Sequence, residues 1–192
     1  VLEPMPCPEA GAALLDALGK TEGALQTGIV NSLALRGETQ AVPLLIPLLG
    51  STDTDVAQAT ARGLGMLATP EATSALLEAA GKADAAPAMM HALCDGLLMA
   101  AEKADPSAAQ TLYDGVLALA KAPGPARDGA LRGAVLTRGA DGLPLLLNAL
   151  EAEDSDTFDA ALRIARELPK DDVITGALAG ALPSLPDRKS VV

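Results

Sequence analysis

An all-helical chain of serially stacked helix pairs is what this sequence predicts, on three observations. Ala and Leu, both strong helix formers, supply 40 and 33 of the 192 residues, against one Tyr, one Phe and no Trp. A pair of helix-core positions recurs every 30 to 36 residues, as Leu14-Leu15, Leu44-Leu45, Leu76-Leu77, Leu112-Tyr113, Leu145-Leu146 and Leu178-Ala179, a period typical of helical repeats. Gly, Pro, Asp, Ser and Thr gather between the apolar runs, where turns belong. The expected architecture is an α-solenoid, a superhelix of about six stacked antiparallel pairs.

Taken in order, each anchor pair marks a first helix, and the apolar residues that follow at helical spacing mark a second. The second helices are signalled by Ile29, Val30 and Leu33, then Val56, Thr60 and Leu64, then Met90, Leu93, Cys94 and Leu97, then Leu131, Ala134 and Val135, then Ala161, Ile164 and Ala165. The units run roughly 8–38, 39–70, 71–105, 106–140 and 141–171, with an incomplete 172–192, as one array over residues 1–192. Asp53, Thr69 and Asp156 stand where a side-chain oxygen would cap the next helix, and Pro70 fits a first helical turn, where its missing N–H costs nothing. Pro43 and Pro144 sit near the starts of two first helices, and Pro47 should kink or break its own. A helix pair of this size cannot cover its apolar side alone, so each unit shields its neighbour. The opening Val1–Pro8 lacks a clear capping helix, and Ser190-Val191-Val192 ends where another helix should begin. The chain is therefore expected to be a segment of a longer protein.

Composition removes several functions. Base-stacking platforms, aromatic cages and ring-lined sugar pockets need side chains that only Phe158 and Tyr113 could supply. With 25 acidic against 14 basic residues, the field repels phosphate backbones, and nucleic acid is not an expected partner. The longest apolar stretch, Ala41 to Leu49, is about half the ~20 residues a membrane helix needs and contains two prolines. No insertion into a membrane is expected. Cys7 and Cys94 form no CxxC, and His91, three residues before Cys94, has no second ligand pair to complete a zinc site. No metal, cofactor or catalytic residues are assigned.

The stretch from Gly37-Glu-Thr-Gln-Ala-Val-Pro-Leu-Leu-Ile to Val56, continued by Ala59-Thr-Ala-Arg-Gly-Leu-Gly65, resembles the pattern of HEAT repeats and of the shorter HEAT-like repeats of phycobilisome lyases. Arg138 to Leu147 repeats its first half, and Glu153 to Leu162 repeats its turn. The resemblance implies a right-handed superhelix whose second helices line the inner surface. The arginine that this family places after the Val is Ala57 in the second unit and Asp159 in the fifth, and only Arg127 fits the position. The arginine–aspartate ladder of such arrays is therefore expected to be absent. Ala108 to Tyr113 reads more like a tetratricopeptide helix. Arrays this rich in Ala and Leu also resemble segments of large exported bacterial proteins, which implies an exported or periplasmic setting.

The candidate site is a row of polar residues near the middles of second helices: Asn31, Arg62, Arg132 and Arg163, with His91 or Asp95 in the third unit. Facing a groove, such a row would suit an acidic peptide or a carboxylated glycan. The plainer expectation is solvated residues paired with carboxylates across turns. His91 and Asp95, one turn apart, have no Ser or Cys nucleophile in a recognisable elbow. Gly63-Leu-Gly65 lies within a helix and reads as a close-packing patch rather than a dinucleotide loop. The pairs Asp53 and Asp55, Asp154 and Asp156, and Asp171 and Asp172 lack the calcium-loop pattern and read as turn carboxylates.

The expected function is thus a non-catalytic protein-interaction scaffold or spacer with a protein or peptide partner. The alternatives are a lyase-type HEAT protein holding a tetrapyrrole, and a structural array that associates end to end.

Overall fold

In the computed structural model, which describes residues 7–82, 86–169 and 172–181, every regular element among the described residues is helical. In chain order these are α1 (Pro8–Leu18), α2 (Gly23–Arg36), α3 (Val42–Leu45), α4 (Thr54–Leu67), α5 (Pro70–Gly81), α6 (Pro87–Lys103), α7 (Pro106–Ala118), α8 (Gly124–Arg138), α9 (Leu143–Leu150), α10 (Ser155–Glu167) and α11 (Asp172–Ala181). The chain is an all-α solenoid. The expectations for the opening residues and for the C-terminal end beyond Ala181 lie outside the described residues.

The ends of the helices follow from local chemistry. Asp53 accepts from the amides of Asp55 and Val56, and Thr69 from that of Ala72, satisfying donors that a helix start leaves free. At the start of α10 the cap is Asp154, which accepts from Asp156 and Thr157; Asp156 already lies inside the helix, which corrects the expected cap by two residues. Asp105 caps α7 in the same way. Pro47 ends α3 after a single turn, and residues Ile46–Gly50 continue as a 3₁₀ helix, because Pro cannot donate within an α-helix interior. Gly37 closes α2 in the left-handed conformation at φ 70°, while Ala68 takes that role after α4 at φ 53°.

The even-numbered helices from α2 to α10 form the spine of the array. α4 packs against both α2 and α6, and α8 against α7 and α10. Contact between α4 and α6 is close enough to require glycine. A Cβ on Gly65 would lie 2.2 Å from the Gly96 carbonyl oxygen, and one on Gly96 would lie 2.4 Å from that of Ala61. Of the close-packing patch read at Gly63-Leu-Gly65, Gly65 meets α6, while a Cβ on Gly63 would face Ala34 and Val30 of α2 at 3.4 Å. Gly133 similarly vacates the space occupied by the Tyr113 ring.

Two apolar clusters fill the interior. One runs from Leu14 to Ala134 and includes Val30, Leu33, Leu45, Leu64, Leu76, Leu93 and Leu97; the other runs from Leu131 to Ile174 around Val135 and Leu146. Thr60 is fully buried in α4, and its hydroxyl has no hydrogen-bond partner among the described residues.

Candidate interaction face on the second helices

Consecutive second helices run parallel in a fixed register. Arg62 Nε of α4 meets Asp95 Oδ2 of α6 at 3.3 Å, and Asp128 Oδ2 of α8 meets Arg163 Nη2 of α10 at 3.3 Å. One turn further on, Arg132 Nε donates to Glu167 Oε2 at 2.8 Å. Asn31, Arg62, Asp95, Asp128 and Arg163 thus occupy one level of successive helices, at intervals of 31, 33, 33 and 35 residues. Arg132 lies one turn above that level, and His91 one turn below it on the exposed side of α6.

This geometry changes the reading of the row in two ways. Arginine–carboxylate pairs do join successive second helices, at α4–α6 and α8–α10, contrary to the expected absence of a ladder. They start from mid-helix arginines rather than from the position after the Val, so the family pattern did not reveal them. The partners also lie on the neighbouring second helix, not across turns. Because Asp95, Asp128 and Glu167 answer Arg62, Arg163 and Arg132, the row is not a basic stripe. The clue in the sequence was the 33-residue step from Arg62 to Asp95 and again to Asp128.

Two clefts lie along the face. The first, between α2 and α4, has a volume of about 440 Å³ and is lined by Ala24, Thr27, Asn31, Asp55, Gln58, Ala59 and Arg62. Thr27 and Gln58 were not singled out from the sequence, and Asp55 was read only as a turn carboxylate. The second, between α8 and α10, is about 160 Å³ and is bounded by Asp128, Arg132, Arg163 and Glu167. Asn31 and Arg62 therefore share one cleft, Arg132 and Arg163 share the other, and His91 lines neither.

The electrostatics of the smaller cleft are mixed. Burial pushes the Asp128 carboxyl above its ordinary value; Asp156 and Asp154 add to this, against the opposing pull of Arg163. The hydrogen bond from Arg132 holds Glu167 below the usual carboxylate range. Nearby, burial and then Glu102 raise the Tyr113 hydroxyl, partly offset by Arg132. Both cysteines are free thiols, and burial, with Asp95 adding to it, pushes Cys94 above its ordinary value. That favours the protonated thiol over the reactive thiolate. Among the described residues no group of three or more His, Cys, Asp or Glu is placed to hold a metal ion, and no helix is long and apolar enough to cross a membrane.

Comparison with known proteins gives a family match over part of the chain. No curated protein matches the chain in sequence. Among solved structures, the complex of CpcE and CpcF of phycocyanin lyase from Nostoc sp. PCC7120 is similar over 95% of this chain and 78% of that one, at 21% identity and a TM-score of 0.49. Residues 11–93 match the family of HEAT repeats.

Proposed function

We propose that the chain is a non-catalytic scaffold that holds a protein partner on the face formed by its second helices. The observation that carries this reading is the level row from Asn31 to Arg163, where polar side chains stand in register on five successive helices and cross-helix ion pairs hold two of the junctions. A partner laid along such a face meets a repeated pattern at fixed spacing, which suits extended recognition. The raised Cys94 thiol and the exposed His91, set apart from both clefts, supply no converging pair for nucleophilic chemistry.

The test places a photo-crosslinking residue at Gln58 on α4 and, separately, at Thr111 on α7, a first helix. In a lysate of the cells that make the protein, Gln58 should capture a protein and Thr111 should not. Equal capture at both positions would reject this face. A visible absorbance band on the purified protein would instead favour the tetrapyrrole reading, and mass rising with concentration would favour self-association.

A further inference from the structure

We infer that the cleft between α2 and α4 is a binding subsite for an extended, basic stretch of polypeptide; this deepens the scaffold reading and rests on it. The cleft is built from matched positions on two parallel helices, with Ala24 beside Asp55, Thr27 beside Gln58 and Asn31 beside Arg62, each pair 31 residues apart. At the equivalent place between α8 and α10, two reciprocal ion pairs link the helices across a much smaller space. Nothing on α2 answers Arg62, and the guanidinium turns its Nε to Asp95 on α6 instead.

Apart from Arg62, the polar side chains lining the α2–α4 cleft have hydrogen-bonding capacity and no side-chain partner among the described residues. The Thr27 hydroxyl oxygen lies buried in the cleft wall with no hydrogen-bond partner among the described residues. The carboxamides of Asn31 and Gln58 and the carboxylate of Asp55 have no side-chain partner among the described residues. A carboxamide both donates and accepts, which matches the alternating N–H and C=O of an extended backbone. The volume of about 440 Å³ lies in the usual range of ligand sites.

The sign of the occupant follows from the ion pairs. Asp95 answers Arg62, so Asp55 is the uncompensated charge in the cleft, on a chain whose net charge is -11. A Lys or Arg is therefore preferred there over the acidic residue that a row of free arginines would have selected. No aromatic ring lines the cleft, which removes the stacking surface a sugar would need.

The test uses two fluorescein-labelled peptides of Gly and Ser, one carrying Lys and the other Glu at the same positions, followed by anisotropy with the full chain. The Lys peptide should bind about tenfold more tightly than the Glu peptide. Asp55→Asn should weaken it by roughly fivefold, while Asp141→Asn, which removes the same charge at a distant exposed site, should change it less than about twofold. Asn31→Ala with Gln58→Ala should also weaken binding by roughly fivefold without changing the charge. Equal binding of the two peptides, equal effects of the two Asp substitutions, no effect of the carboxamide pair, or no binding at all would each overturn the inference. Capture of a partner through Gln58 alongside any of these results would leave the scaffold reading standing and reject the basic-peptide cleft alone.

Discussion

The junction between α4 and α6 and the junction between α8 and α10 repeat the same structural position and are held together by different physics. At the first, backbones approach so closely that Gly65 and Gly96 have no room for a methyl group, and a single ion pair spans the surface. At the second, Ile164 follows Arg163 as Gly96 follows Asp95 and Gly129 follows Asp128, and two ion pairs bridge the helices. The difference teaches that the repeat sets the register while small residues set the distance. Where the polar groups have no opposite number, as between α2 and α4, the same position opens into a cleft.

The largest expected effect comes from closing off the tight junction. Gly65→Ala puts a Cβ onto the backbone of α6, which cannot move aside as a side-chain tip can, and should cost about 3 kcal/mol or lower the melting temperature by roughly 6–12 °C. Gly129, 33 residues after Gly96 and at the same repeat position, would bring its Cβ only to 3.4 Å from Leu98 Cδ1. Gly129→Ala should therefore change stability by less than about 1 kcal/mol. Thermal melts followed by circular dichroism check both, and equal destabilisation would break the contrast between the tight α4–α6 junction and the looser contact of Gly129 with α6.

A smaller effect of opposite sign is expected at Thr60, whose buried hydroxyl lacks a partner. Thr60→Val keeps the shape and removes the orphan, and should stabilise the chain by about 1 kcal/mol in urea unfolding. Destabilisation would mean the hydroxyl has a partner in solution.

The smallest effects concern titration within the α8–α10 junction, where two carboxylates move in opposite directions. Glu167 is lowered, so its contribution to stability is present above its unfolded pKa and is lost as pH falls through its folded value. Asp128 is raised, so the folded state binds its proton first and acidification through that window is stabilising. Carboxyl-carbon NMR should place the Asp128 midpoint above the ordinary aspartate value and the Glu167 midpoint below the ordinary glutamate value. Asp156→Asn should lower the Asp128 midpoint and Arg163→Gln should raise it further. An Asp128 midpoint below the ordinary aspartate value would show that Arg163 outweighs burial.

Much of the fold was legible because helix pairing writes itself into the chain as period and punctuation. The Leu-Leu anchors, Pro47 and the caps at Asp53 and Thr69 are local signals, and each acts within a few residues of itself. The cap at α10 was read as Asp156 instead of Asp154 because both carboxylates precede an apolar run, and only the backbone angles separate them. The site was less legible. Arg62, Arg132 and Arg163 stood out as cations, but their neutralisation by Asp95, Glu167 and Asp128 depends on which turn of one helix faces which turn of the next. Thr27, Asp55 and Gln58 matter only because the two helices leave a space between them, and no single-helix pattern records a space.

The most direct test of the account is amide chemical-shift mapping of the isotope-labelled full chain during titration with the Gly-Ser-Lys peptide. The account predicts that perturbations concentrate at Thr27, Asn31, Asp55, Gln58 and Arg62, and that the amides of Asp128, Arg132, Arg163 and Glu167 stay unmoved. Perturbations centred on the α8–α10 junction, or spread evenly over the acidic surface, would contradict it.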